Sequence, residues 1–105
     1  MIYEHAYLWI KAGQEHRFER ELLSGRSILA AADGCHSVEL FRDVERSGAY
    51  LLRIGWESLA HHVERFPISP QAPAFAEVVE KFFAREPELR HFDSTPVETT
   101  TDPQA

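Results

Sequence analysis

IYEHAYLWI, residues 2–10, decides how the chain is read. Taken as a strand, it alternates Ile2, Glu4, Ala6, Leu8 and Ile10 on one face with Tyr3, His5, Tyr7 and Trp9 on the other. Both faces are largely apolar, whereas a small antiparallel sheet normally leaves one face to water. The stretch therefore predicts a sheet covered on both sides, with Glu4 and His5 as polar intruders on opposite faces.

The rest of the chain supplies one of those covers. KAGQEHRFERELLSGRSILAAADG (11–34) places Phe18, Leu22, Gly25, Leu29 and Ala32 at helical spacing, and the stripe must pack inward. Gly25 on that stripe would allow close approach to the sheet, and Gly34 is placed to end the helix in a left-handed cap. CHSVELFRD (35–43) and AYLLRIGWE (49–57) read as strands joined through VERSG, which has turn composition, so they form a hairpin. Ser58 can cap a second helix with Leu59, His62, Val63 and Phe66 on one face. PISPQAP (67–73) breaks that helix, because three prolines in seven residues cannot sit in a continuous helical interior. A further helical stretch runs through Phe75, Val78, Val79, Phe82 and Phe83, and PELRHFD (87–93) is the last strand.

The order strand, helix, strand, strand, broken helix, strand is the split βαβ pattern of an α+β ferredoxin-like fold. It makes a four-stranded antiparallel sheet with helices on one face. The second face then needs another sheet, and a second copy of the chain supplies one, so the pattern predicts a homodimer through the outer sheet face. One domain spans residues 1–93, and the polar tail STPVETTTDPQA (94–105) is expected to be mobile because it has few apolar groups to offset ordering entropy.

Composition bounds the partners. Seventeen acidic against eleven basic residues give a formal charge of -6, which repels nucleic acid and anionic membrane alike. No apolar run reaches the length of a bilayer span, and the sole cysteine, Cys35, allows no internal disulfide. With no basic n-region and apolar core of a secretory signal at the N-terminus, the expectation is a soluble cytoplasmic protein. Six histidines invite a metal reading, but His61 and His62 diverge by about 100° on a helix, Cys35 and His36 alternate across a strand, and no pair lies four apart on one helical face. No metal site is expected.

GCHSVELFRD, YLLRIGWESLAHHVERF, SPQAPAFAEVVEKFF and LRHF, in that order, resemble the antibiotic biosynthesis monooxygenase domain family, the dimeric α+β barrel proteins, over residues 2–93. The likeness rests on Gly34-Cys35, Trp56-Glu57-Ser58, Ser69-Pro70 with Phe75, and His91-Phe92. It implies a pocket between sheet and helices within each subunit. It also implies activities that include oxidation of phenols or quinols without metal or flavin, haem degradation, and isomerase-like chemistry. Three departures matter. Aligned on Gly13, Ala6 stands where haem-degrading members carry Asn, and the following helix offers Phe75, Ala76 and Glu77 rather than a histidine. Ile54 stands where many members carry Glu. SPQAPAF is also longer than the family's usual SPAF.

Within that frame the candidate catalytic residues are His62, His91 and Glu4, with Trp56, Phe66, Phe75 and Phe82 as walls of a substrate pocket for a small hydrophobic or aromatic ligand. His62 among apolar neighbours is either a neutral base suited to deprotonating a phenol or a packed histidine bonded to a backbone carbonyl. His91 is either a pocket acid or base or a packed strand-edge residue. Glu4, by parity, faces the helices and is either a pocket carboxylate able to pair with His62 or a strand-end group reaching water. The leading reading is a cofactor-independent oxygenase acting on a small aromatic or quinol-like compound. The alternatives are a non-catalytic dimer that binds a small molecule and, less favoured because both haem-site groups are missing, a haem-binding relative.

Overall fold

The structure is a computed structural model in which residues 1–98 are described. Four strands, β1 (Ile2–Trp9), β2 (Cys35–Arg42), β3 (Ala49–Trp56) and β4 (Glu88–Asp93), form one antiparallel sheet in the order β2-β3-β1-β4. Helix α1 (Glu15–Ala30) follows β1. A π-helical turn (His61–Arg65), a 3-10 turn (Phe66–Ile68), helix α2 (Gln71–Val79) and a second 3-10 turn (Glu80–Phe82) lie between β3 and β4. This is the ferredoxin-like arrangement that the element order predicts: β3 is inserted between β1 and β2, and β4 closes the far edge of β1. Among the described residues no helix is long and apolar enough to cross a membrane.

Parity places the core where the sequence puts it. Ala6, Leu8 and Ile10 of β1 and Tyr50, Leu52, Ile54 and Trp56 of β3 point to the helical side and are buried with Phe18, Leu22 and Leu29 of α1. Removing side chains of this size from water stabilises the fold by about 1.5–3 kcal/mol each.

Three local readings change. Gly25 does bring a neighbour close, but the neighbour is α2: a Cβ built there would lie 3.1 Å from Val78 Cγ1. The absence of a side chain thus sets helix-to-helix rather than helix-to-sheet spacing. Leu59 and Val63, expected on the inward face with His62, are 47% and 46% exposed. Residues four apart still share a face, Leu59 with Val63 outward and His62 with Phe66 inward, in a segment whose π-helical turn bonds the Phe66 N–H to the His61 carbonyl five residues earlier. Finally, α2 starts at Gln71 with Pro73 inside its first turn, where a missing N–H costs nothing. Gly34 adopts φ +80°, as a left-handed residue past a helix end should, and the His61 ring packs against it.

The outer sheet face carries Tyr3, His5, Tyr7 and Trp9, flanked by Phe41 and Phe92, which are 43% and 50% exposed. Arg53 bonds Glu39 at 2.8 and 2.9 Å and lies over the Tyr3 ring at 4.6 Å, so the two charges of this hairpin partner each other. At the chain's end, Ser94 N and Oγ both donate to the Met1 carbonyl, at 3.2 and 2.9 Å. Of the tail expected to be mobile, residues 99–105 lie outside the described residues.

Candidate functional site

The register of β1 fixes the site. Glu4 lies opposite Ile54 of β3 on one side and His91 of β4 on the other, all three on the helical face. Trp56 ends β3 two positions beyond Ile54, and its indole Nε1–H donates to Glu4 Oε1 at 3.0 Å. The π-helical turn brings His62 over the same carboxylate, with His62 Nε2 3.1 Å from Glu4 Oε1. The imidazole stacks on the Trp56 indole, with centroids 5.2 Å apart and planes 14° from parallel, and Phe66 closes on both rings at 5.4 and 6.1 Å. On its other edge His62 Nδ1 lies 2.7 Å from His91 Nε2. A single chain of contacts thus runs Trp56, Glu4, His62, His91.

Glu4, Trp56, His62 and Phe66 line a cavity of about 580 Å³ between sheet and helices, a volume typical of small-molecule sites. Its walls are mainly apolar, among them Leu8, Leu52, Ile54, Phe66, Phe75 and Val79, and Glu4, His62 and Glu80 are the ionisable residues that line it. The Trp56 hydrogen bond and the His62 contact both fall on Oε1 of Glu4. Oε2 has no bonded partner, and no side-chain oxygen or nitrogen among the described residues is both fully buried and unbonded. Glu4 itself lines the cavity.

Burial dominates the electrostatics. The Glu4 side chain is 8% exposed, and loss of solvation pushes its carboxyl up to about 7, with the Trp56 bond pulling slightly back. His62 is pushed down to about 4, first by burial and then by the neighbouring His91. Near neutrality the imidazole is uncharged and the carboxyl is close to half protonated. The 3.1 Å contact between them is then one between a neutral imidazole and a carboxyl rather than an ion pair. The pair is thus a carboxyl whose pKa is raised to about 7, held against a neutral imidazole.

Of the residues singled out from the sequence, Glu4, His62, Trp56, Phe66 and Phe75 border the cavity. His91 stands behind His62, exposed on the edge strand, and does not line it. Phe82 is buried instead against Phe18, ring centroids 5.8 Å apart, and Phe83 takes its place at the cavity. Pro67, Pro87 and Leu89 also contribute to the lining. These residues carry no chemical signal of their own and become wall residues only through the fold. Trp56 was legible as a wall but not as the donor that holds the carboxylate. Cys35 is half-buried with its thiol pushed up by burial, which suits a packing residue better than a nucleophile. The two nitrogens of His62 point to opposite neighbours, so Glu4, His62 and His91 do not converge on one point. Among the described residues no three histidine, cysteine or acidic side chains form a set that could hold a metal ion.

Comparison with known proteins gives a consistent family. Residues 1–78 match the family model described as antibiotic biosynthesis monooxygenase. The chain is 30% identical over 92 residues to the uncharacterized protein YczJ of Bacillus subtilis (strain 168), covering 88% of this chain and 97% of that one. A crystal structure of a Bordetella bronchiseptica protein assigned to the antibiotic biosynthesis monooxygenases superposes with a TM-score of 0.86 at 29% identity, covering 90% of this chain and 97% of that one. A Caulobacter crescentus CB15 protein with the same assignment superposes at 0.75 with 19% identity, covering 90% of each chain, and shares the fold.

Proposed function

Since the chain belongs to the antibiotic biosynthesis monooxygenase family, we propose that it is a cofactor-independent oxygenase acting on a small aromatic or quinol-like compound. One observation carries the reading: Glu4 and His62, 3.1 Å apart, line one mainly apolar cavity large enough for a flat ring system. In this scheme Glu4 Oε2 takes the proton of a substrate hydroxyl, and the Trp56, His62 and Phe66 rings hold the substrate plane. The electron-rich anion then reacts with dioxygen directly. One oxygen atom enters the ring as a carbonyl, the other leaves as water, and the substrate supplies the electrons. Both ring nitrogens of His62 are engaged, so Glu4 is the group that meets substrate and His62 is its partner.

The protein acts as a homodimer in this proposal, with the aromatic outer faces of two sheets packed together, and a cytoplasmic location belongs to the same reading. The test is oxygen uptake by metal-free protein with a panel of dihydroxyarenes. Wild type consumes oxygen, and Glu4→Gln and His62→Gln each lose about 10²- to 10⁴-fold, the range for removing a positioned base. No uptake by wild type, or uptake that survives both substitutions, refutes it.

A second reading draws on the same geometry. Oε1 of Glu4 and both nitrogens of His62 already have partners inside the protein, so a wholly apolar ligand could be bound without chemistry. Under that reading His62→Ala leaves ligand affinity nearly unchanged.

A further inference from the structure

Glu4 lies where water does not easily reach, least of all with a ligand filling the cavity, yet any proton it accepts must leave before it can accept another. The chain of contacts behind it offers a route. Glu4 Oε1 meets His62 Nε2 at 3.1 Å, and His62 Nδ1, on the opposite side of the same ring, meets His91 Nε2 at 2.7 Å. His91 sits on β4, an edge strand of the sheet, and is exposed. Its Nδ1 has no hydrogen-bond partner among the described residues. Glu4 and His91 are direct cross-strand partners, and His62 is the group that bridges them.

We infer that His91 is the solvent port of a proton relay that connects Glu4 to bulk water through His62. Glu4 begins protonated on Oε1, His62 on Nδ1 and His91 on Nδ1. As Oε2 takes a proton from a ligand hydroxyl, the Oε1 proton passes to His62 Nε2, the His62 Nδ1 proton to His91 Nε2, and the His91 Nδ1 proton to water. Four protons each move by one hydrogen bond, no protein group changes charge, and the net result is a ligand anion in the cavity and a proton in solvent. Reversal delivers a proton inward. A neutral imidazole conducts by exchanging its tautomers, and His62 has a polar neighbour on each edge, His91 at 2.7 Å on Nδ1 and Glu4 at 3.1 Å on Nε2. The other ionisable groups near the relay are Cys35 of β2, whose thiol feels the Glu4 charge, and Glu80, which borders the cavity. Neither is bonded to a member of the relay.

The catalytic use of this relay rests on the oxygenase reading, whereas its existence does not, so the test begins without substrate. The full chain is labelled with ¹⁵N-histidine and the His62 ring signals are followed at pH 7. In wild type Nδ1 and Nε2 give shifts averaged between the two tautomers. In His91→Gln, an amide keeps a hydrogen bond to Nδ1 but cannot pass a proton through itself, so the averaging is lost. In His91→Ala, added imidazole restores it. A purely structural His91 predicts that His91→Gln behaves as wild type, and that result overturns the proposal, as does a wild-type His62 locked in one tautomer. Where turnover is found, His91→Gln lowers kcat roughly tenfold in weak buffer with KM held, a smaller loss than removing the base itself. Imidazole rescues it. An intact oxygenase indifferent to His91 rejects the relay alone.

Discussion

Replacing Glu4 with Gln isolates the cost of a carboxylate in this cavity. Gln keeps the volume and an oxygen that can accept from Trp56 Nε1, so the packing is conserved while the titration is removed. In wild type the Glu4 carboxyl rises from 4.5 in the unfolded chain to about 7 in the fold, because burial disfavours the charged form. Between those values the folded state binds more protons than the unfolded one, so stability falls as pH rises through the window. At about 1.4 kcal/mol per pH unit the full effect is about 3 kcal/mol, complete near pH 8.

His62 acts in the opposite direction. Its pKa is lowered from 6.5 to about 4, so stability rises with pH across that interval, but this contribution is common to both proteins and drops out of their difference. Glu4→Gln therefore matches wild type near pH 4.5 and exceeds it by about 3 kcal/mol at pH 8. The wild-type profile is flatter than that of the variant, because its two linkages oppose each other. Urea unfolding followed by circular dichroism, at one protein concentration and with m-values checked for equality, measures the gap. A gap that does not depend on pH refutes the reasoning. A variant that is less stable than wild type at neutral pH also refutes it, because that result would show a stabilising Glu4–His62 ion pair.

Other perturbations probe the frame around the site. Gly34→Ala forces a side chain onto a residue at φ +80° and puts its Cβ 2.3 Å from the His61 ring, so it costs at least about 2 kcal/mol in urea, part of which returns when His61→Ala is added. Phe92→Glu places a charge in the half-exposed aromatic outer face, and sedimentation of the variant gives monomer where wild type gives dimer. Glu19 is held down to about 2 by Arg42 and the Tyr50 hydroxyl, so its contribution is present above pH 4.5 and is lost as pH falls through 2. Glu19→Gln flattens acid unfolding over that interval.

How much of this could be read beforehand follows the range of the physics involved. Period-two alternation in residues 2–10 and 49–56 is a local property of extended chain, and it sorted Glu4 inward, His5 outward, and Tyr50, Leu52, Ile54 and Trp56 to one face. The same reasoning failed just after Ser58. There the apolar residues Leu59 and Val63 are in solvent while His62 and Phe66 face in, because packing against the sheet rather than the apolar spacing decides which face of the segment turns inward. It failed again at Glu80, where α2 tightens into a 3-10 turn, so that Phe82 enters the core against Phe18 and Phe83 borders the cavity. Neither change of helix type has a signature in residue spacing, since each follows from how the segment must fit against the sheet.

By itself the sequence determined the element order, the ferredoxin-like class, the two apolar faces of β1 and the presence of an ionisable group on each. Those are consequences of backbone periodicity, proline and glycine, all of which act over a few residues. Only the tertiary structure decided that Glu4, His62 and His91 form one line. The β1–β4 register and the π-helical turn bring together residues 4, 62 and 91, and their separation in the chain leaves no local trace of that meeting. Protonation follows the same division, because burial, a property of the whole packed molecule, brings the Glu4 carboxyl to about 7 and leaves His62 neutral.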